Sequence, residues 1–144
     1  MPRDNPTRSD TWQVRVQLDG GDIMEVWDKK TGGEVDSEET KYYPGGMLDP
    51  ISLGGRKTVG NLVLQRLYDL KQDHDRISYL IAGAGKRGIG IGIQPMDIDG
   101  VLYGKTIHYD GILKRVTFPE VDSEASTAAL LEIEVTINGL PTMI

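Results

Sequence analysis

Apolar and polar residues alternate from the first recognisable element onward. Trp12, Val14, Val16 and Leu18 stand against Gln13, Arg15 and Gln17, the period-two pattern of a half-buried strand. Asp19-Gly20-Gly21-Asp22 predicts a tight hairpin turn, after which residues 23–27 return along the first strand and bring Trp27 towards Trp12. A second alternation organises the middle of the chain. Val59, Asn61, Val63, Gln65 and Leu67 fall on one face of an extended segment, and Thr58, Gly60, Leu62, Leu64, Arg66 and Tyr68 on the other. Both faces are largely apolar at its middle, which predicts a strand at the centre of a sheet.

The period then changes. Leu70, Ile77, Leu80 and Ile81 fit one helical face, with Asp69 placed as an N-cap and Gly83-Ala-Gly85 as the stop, so one helix is expected here. Ile89, Ile91 and Ile93 next alternate with Gly88, Gly90 and Gly92, a strand with one branched face and one bare face. The bare face suits close packing, by the helix in the simpler reading or by a neighbouring subunit. Asp99-Gly100 and Asp110-Gly111 predict two hairpin turns in a meander of strands Gly88 to Ile98, Val101 to Tyr109 and Ile112 to Phe118, with Pro95 marking an edge or a bulge. Pro119 to Thr127 is a connector. A closing strand, Leu130 to Asn138, puts Leu131, Ile133, Val135 and Ile137 on one face and Glu132, Glu134 and Thr136 on the other. The expected fold is mainly β, an antiparallel β-sandwich or barrel with one flanking α-helix and a long extended loop.

That loop runs from Asp28 to Pro50, where only Val35, Tyr42, Tyr43, Met47 and Leu48 interrupt polar and turn-forming residues. Loops beyond about 12 to 15 residues are uncommon in compact domains and are usually functional or disordered. The paired tyrosines favour a docked loop, so residues 29–50 are expected to make contacts between subunits, through Tyr42, Tyr43, Pro44, Gly45 and Gly46. Arg56, Lys57 and Arg66 are expected to meet acidic residues of a neighbouring copy.

Glu25-Val-Trp-Asp28 leading to Gly32-Gly33, then Tyr43-Pro-Gly-Gly46, Ile51-Ser-Leu53 and Leu64-Gln-Arg66, resemble the pattern of phage tail tube proteins over roughly Gln13 to Leu70. The chain departs from contractile-tail members in carrying Gly54-Gly55-Arg56-Lys57 and a further strand between the Ile-x-Leu element and Leu-x-Arg. The resemblance implies a structural subunit that forms hexameric rings, stacked into a hollow tube for genome delivery. Its implied partners are further copies of itself and other tail proteins: terminator, tape measure, baseplate or tip, with sheath as an option. DNA would pass through the channel without specific binding, and the place of action would be the virion tail, assembled in the host cytoplasm. Glu132 and Glu134 are the candidates to face the channel, with the outer surface of the tube as the alternative. A tube subunit of a contractile injection or type VI secretion system shares these features. A small nucleic-acid-binding barrel would need a basic groove with stacked aromatics, whereas the basic residues here are scattered.

Composition narrows the picture further. The 144 residues suit a single domain, 1–144, with residues 1–10 as a loose arm, and 38% hydrophobic content with a single phenylalanine, Phe118, suits a thin sheet-based core. Twenty-two acidic against 16 basic residues leave a net charge of −6, unsuited to long-range attraction of phosphates. The absence of cysteine removes disulfides, thiolate metal sites and thiol nucleophiles together. Residues 1–10 lack a signal-peptide pattern, and no apolar run approaches the roughly 20 residues of a membrane helix, so a soluble product without membrane contact is expected.

Candidate chemistry is sparse. Gly83-Ala-Gly-Lys-Arg-Gly88 matches a dinucleotide fingerprint in letters, but the motif needs a strand before it and a helix after it, and the order here is reversed. His74 and His108 have no ligand partner at helical spacing, Asp97-Ile-Asp-Gly100 lacks the remainder of a calcium loop, and Glu38-Glu39 and Glu132-Glu134 have no evident apolar pocket to separate their pKa values. No catalytic, cofactor or metal site, and no enzyme activity, is expected.

Overall fold

The computed structural model describes residue 8 and residues 12–18, 23–25, 27–46, 48–97, 99–124 and 126–144. The expected turn at residues 19–22 and all but Arg8 of the N-terminal arm lie outside the described residues. Among the described residues twelve strands and one helix follow one another: β1 (Trp12–Leu18), β2 (Ile23–Glu25), β3 (Lys29–Gly32), β4 (Val35–Ser37), β5 (Lys41–Tyr42), β6 (Ile51–Ser52), β7 (Lys57–Val59), β8 (Leu62–Leu67), α1 (Gln72–Gly83), β9 (Gly88–Pro95), β10 (Ile107–Thr117), β11 (Leu130–Ile137) and β12 (Thr142–Met143).

The main sheet has the order β2-β1-β9-β10-β11-β8-β3, every described pair antiparallel, with β12 added beside the start of β10. Its two edges are joined by a short link. β2 ends at Glu25 and β3 begins at Lys29, and four extended Cα steps reach at most about 14 Å. A flat path of seven strands would span about 29 Å at the usual interstrand spacing. The sheet therefore has to curl, and it forms a half-barrel. The fold is the expected mainly β one with a single flanking helix.

Alternation decides what fills the curl. Val14, Val16 and Leu18 of β1, the three isoleucines of β9, Tyr109 and Leu113 of β10, Leu131, Ile133 and Val135 of β11, and Leu62 and Leu64 of β8 are buried in one cluster with Trp27 and Leu80. Trp12 packs against that cluster, as do Ile77 and Tyr79 of the helix. Each fully buried aliphatic side chain contributes about 1.5–3 kcal/mol relative to exposure, so the concave face of the sheet and one stripe of α1 hold the domain together.

Four expectations are corrected. The segment 57–67 is two strands with a break at Gly60-Asn61, and β8 lies one place from the edge of the main sheet rather than at its centre. Asp110-Gly111 is no turn but the middle of the eleven-residue β10, where Gly111 sits so close to β11 that a Cβ would stand 2.3 Å from the Thr136 carbonyl oxygen. The Asp99-Gly100 signal does mark a short hairpin, with the Asp97 N–H bonded to the Val101 carbonyl at 2.9 Å, the Met96–Leu102 bridge and the Tyr103 N–H bonded to the Pro95 carbonyl at 2.9 Å, but the expected strand Val101 to Tyr109 is interrupted at residues 104–106 before β10 begins. The isoleucines of β9 point into the core, so its bare glycine face turns the other way, and Pro95 closes a strand that lies between β1 and β10.

The helix also differs from its expected face. Leu70 and Ile81 are exposed, while Asp73, Leu80 and Gly83 are buried with Ile77 half-buried, a stripe at i, i+4, i+7 and i+10. Asp69 stands at the helix start as expected, its carbonyl accepting the Asp73 N–H at 2.9 Å. Its carboxylate accepts the Lys71 N–H at 2.8 Å and its own N–H donates to the Asp73 carboxylate at 2.8 Å, which closes the turn ahead of the helix.

Candidate assembly surface

The excursion from residue 28 is built by pairing. Lys29 to Gly32 pair with Leu62 to Gln65, and the same two segments run on beyond the sheet through the Gly60 N–H to Glu34 carbonyl bond, the β4–β7 ladder, the Glu38 N–H to Arg56 carbonyl bond, and the β5–β6 pair. Residues 33–46 and 48–60 thus make the two sides of a ribbon, an arm about 33 Å long at strand rise. Opposite Glu39 stand two residues, Gly54 and Gly55, between the Glu38–Arg56 and Thr40–Leu53 hydrogen bonds. This is a bulge, and Gly54 supplies the positive φ of 71° that it needs.

The arm has no cover in the isolated chain. Tyr42 is 55% exposed, Tyr43 60% and Leu48 94%, and Val35, Ile51 and Leu53 are exposed as well. Tyr42 is paired across the ribbon with Ile51, and alternation puts Leu53 on their face. Pro44 is half-buried at the tip beside exposed Gly45 and Gly46, and Arg56 and Lys57 are exposed along the returning strand.

Arg66 is elsewhere. It is 5% exposed, its Nε lies 3.4 Å from Oδ2 of the fully buried Asp73, and its guanidinium sits 5.5 Å from the centre of the Trp27 ring. It joins β8 to the first turn of α1 inside the fold and is not the surface cation that was expected.

Glu132 and Glu134 project from the convex, polar face of the sheet, opposite the core. Gln65 donates to Glu132 Oε1 at 3.2 Å. Glu134 is held more tightly, by Arg115 Nη2 at 2.9 Å, Lys114 Nζ at 3.8 Å and the Asn61 amide at 3.3 Å. A register shift in β10 between Leu113 and Arg115 gives this neighbourhood two cations in succession. Further along the same face, Gly90 and Gly92 floor a shallow polar groove of about 190 Å³ between Arg15 and Gln17 on one side and Thr106 and His108 on the other.

The arm's root is gripped from the core side. The Tyr109 hydroxyl crosses the inside of the curl to donate to the Gly33 carbonyl at 3.1 Å, and the Lys30 ammonium lies 5.8 Å from the Tyr109 ring centre. Burial, then the Glu34 carboxylate, pushes the Tyr109 pKa above its ordinary value, so the phenol stays a donor. Burial lowers the Lys30 pKa, and Glu34 opposes that shift. Neither Tyr109 nor Asp73 stood out in the sequence as functional. The available signals were Tyr109 sharing the core parity of β10 and Asp73 sharing the helical stripe of Ile77 and Leu80.

The remaining motifs resolve into local structure. Gly83 to Gly88 ends the helix, with the Gly85 N–H bonded to the Leu113 carbonyl at 2.6 Å and the Arg87 guanidinium 3.6 Å from the centre of the Tyr79 ring. His74 Nδ1 shares a 3.0 Å hydrogen bond with the Tyr68 hydroxyl, and His108 Nε2 one of 2.9 Å with Asp110. Asp97 uses its carboxylate to accept the Asp99 and Val101 N–H groups. Among the described residues no three His, Cys, Asp or Glu side chains gather in a way that could hold a metal ion, and no helix is long and apolar enough to cross a membrane.

No protein-family model matches the chain, and no curated protein matches it. Solved structures do. A chain in the cryo-EM structure of the sheath/tube terminator of the extracellular contractile injection system PVC, in its extended state, superimposes with a TM-score of 0.76 at 14% identity, over 99% of this chain and 99% of that one. A chain of the PVC sheath-tube complex in the extended state gives 0.73 at 14% identity, over 98% and 93%. A chain of the 6-fold symmetrised baseplate of the anti-feeding prophage gives 0.71 at 14% identity, over 99% and 97%. The fold is therefore shared from end to end with chains of contractile injection systems.

Proposed function

We propose that this chain is a structural subunit of a tail-type tube: copies assemble into hexameric rings, and the rings stack into a hollow conduit. The observation that carries the proposal is the uncovered arm. A two-stranded ribbon is marginally stable alone in water, and this one exposes Val35, Tyr42, Tyr43, Leu48, Ile51 and Leu53. A neighbouring copy is the partner that would cover them, with Pro44, Gly45 and Gly46 at the tip letting two backbones approach. The end-to-end likeness to chains of tube-bearing particles supports the same reading, and the 6-fold symmetrised baseplate among them supports six copies per ring.

Two origins fit a tube subunit. A phage tail tube would conduct genome DNA, and its other partners would be terminator, tape-measure, baseplate or tip proteins. The tube of an extracellular contractile injection system is the second reading, favoured by the particles to which the similar structures belong, and it adds a sheath as partner. In both, the polar convex face with Glu132 and Glu134 is the proposed channel wall. The net charge of −6 keeps phosphates from adhering. The ties of Glu134 to Arg115 and Lys114 make that wall a mixed field, with Glu132 the less compensated carboxylate.

Negative-stain electron microscopy over a rising protein concentration tests the proposal. Six-fold rings and tubes are expected from the parent chain, and none from a chain in which residues 34–59 are replaced by a short turn. A parent protein that stays monomeric at high concentration, or an armless chain that forms tubes equally well, would overturn it.

A further inference from the structure

The arm joins the sheet at a place made to bend. Gly32 and Gly33 both take positive φ, 83° and 78°, and Gly60 faces Glu34 across the ribbon. Consecutive left-handed residues turn the backbone sharply, and glycines resist further turning least. A ribbon leaving through such a root would swing unless something held it. Two side chains hold it here, from opposite faces of the sheet. On the concave side the Tyr109 hydroxyl donates to the Gly33 carbonyl, reaching from β10 past β11 and β8. On the convex side Glu134 accepts from the amide of Asn61, the residue whose carbonyl takes the Gly33 N–H at 3.3 Å. Glu134 is itself fixed by Arg115 and by Lys114, the two cations that the β10 register shift places in succession.

We propose that Tyr109 and Glu134 are positioning residues for assembly: they clamp the Gly32-Gly33 root from both faces and present the arm to the next copy at one set angle. The clamp gives Glu134 a role that its outward position alone does not suggest. Its carboxylate orders the arm first and contributes to the polar wall second. A preset angle removes the cost of ordering a long ribbon at the moment of association. The proposal rests on the assembly reading above, but its mechanical half concerns the free subunit and is tested there.

Hydrogen–deuterium exchange on the soluble monomer, in the parent chain and in Tyr109→Phe, Glu134→Gln and Asn61→Ala, separates a clamp from a general prop. Amides of the β4–β7 ladder, 35–37 and 57–59, should exchange at least tenfold faster in each variant, while those of β9 and the first half of β10 keep their parent rates. Tyr109→Phe keeps the ring in the core, and Glu134→Gln keeps the shape on the surface, so both preserve the fold. Uniform acceleration across the main sheet would reduce the two residues to ordinary stabilisers and overturn the proposal, as would unchanged exchange in the arm. Where the parent forms tubes, the same variants should raise the critical concentration about tenfold without lowering the melting temperature to match. Faster arm exchange with an unchanged critical concentration would refute the link to assembly while leaving tube formation itself intact.

Discussion

Arg66 shows how a single residue is misplaced by charge alone. Its parity in β8 is that of Leu62 and Leu64, both fully buried, so the alternation already put it inside. The need of an acidic chain for cations where copies touch is what assigns it to an interface, although an arginine can be buried when it is paired. The missing information was the partner: Asp73, seven residues on, lies on the same helical stripe as Ile77 and Leu80 and is itself fully buried. An intrahelical pattern cannot reveal which strand its polar member will face. The pair carries a direct consequence. Removing one member of a buried ion pair costs about 3–5 kcal/mol. Asp73→Ala should lower the unfolding free energy in urea by that amount, because it also takes away the acceptor of the Asp69 N–H. A loss below about 1 kcal/mol, the range of an exposed pair, would show that Arg66 finds water or another acceptor when the carboxylate is gone.

At the scale of elements, period was a better guide than punctuation. β1, β9, β11 and the inward face of β8 follow their alternation, since a half-buried strand has no other way to hide its apolar residues. Asp-Gly pairs were less dependable. Asp99-Gly100 does turn the chain, with Gly100 at a φ of 80° and its N–H bonded to the Asp97 carbonyl, but Asp110-Gly111 lies in extended backbone. Glycine is needed at 111 for proximity, because the Thr136 carbonyl and the Val135 side chain occupy the space of a Cβ. Sequence alone cannot distinguish a glycine wanted for φ from one wanted for space. Two alanine substitutions separate them. Gly111→Ala has to push β10 from β11 and should destabilise by about 1–3 kcal/mol, as overpacking does. Gly88→Ala, where the nearest atom to a new Cβ is a carbonyl oxygen 4.0 Å away, should be neutral or stabilise by up to about 1 kcal/mol, since it removes unfolded-state freedom at no steric cost. Urea midpoints of the two variants moving in the same direction would contradict this assignment. The arm was visible only as a polar stretch too long for a loop. Its pairing partners lie on the far side of the tip, and the bulge at Gly54-Gly55 breaks the register that a pattern search would follow.

For the whole molecule, alternation tells which face of a strand is buried but not which strand lies beside it. The order β2-β1-β9-β10-β11-β8-β3 sets β1 against a strand more than seventy residues later, and only the short link between β2 and β3 required the sheet to curl. Charge acts at this scale too. Each copy carries −6, so copies gathered in a ring repel one another unless cations stand where they touch. With Arg66 committed to the core, the exposed cations on the arm itself are Lys41, Arg56 and Lys57, and Lys41 already lies 3.8 Å from Glu39. If copies assemble as proposed, Arg56 and Lys57 are the cations left to meet acidic groups of an adjoining subunit. The double variant Arg56→Glu, Lys57→Glu should therefore raise the critical concentration for tubes at least tenfold at about 0.1 M salt, where screening extends over roughly 10 Å, while leaving the urea stability of the monomer within about 0.5 kcal/mol. Raising the salt to about 1 M shortens that length to roughly 3 Å, and the gap between variant and parent should narrow accordingly. A gap that persists undiminished at high salt would mean that these side chains act through packing, and the absence of any gap would mean that the returning strand of the arm faces solvent in the assembled ring.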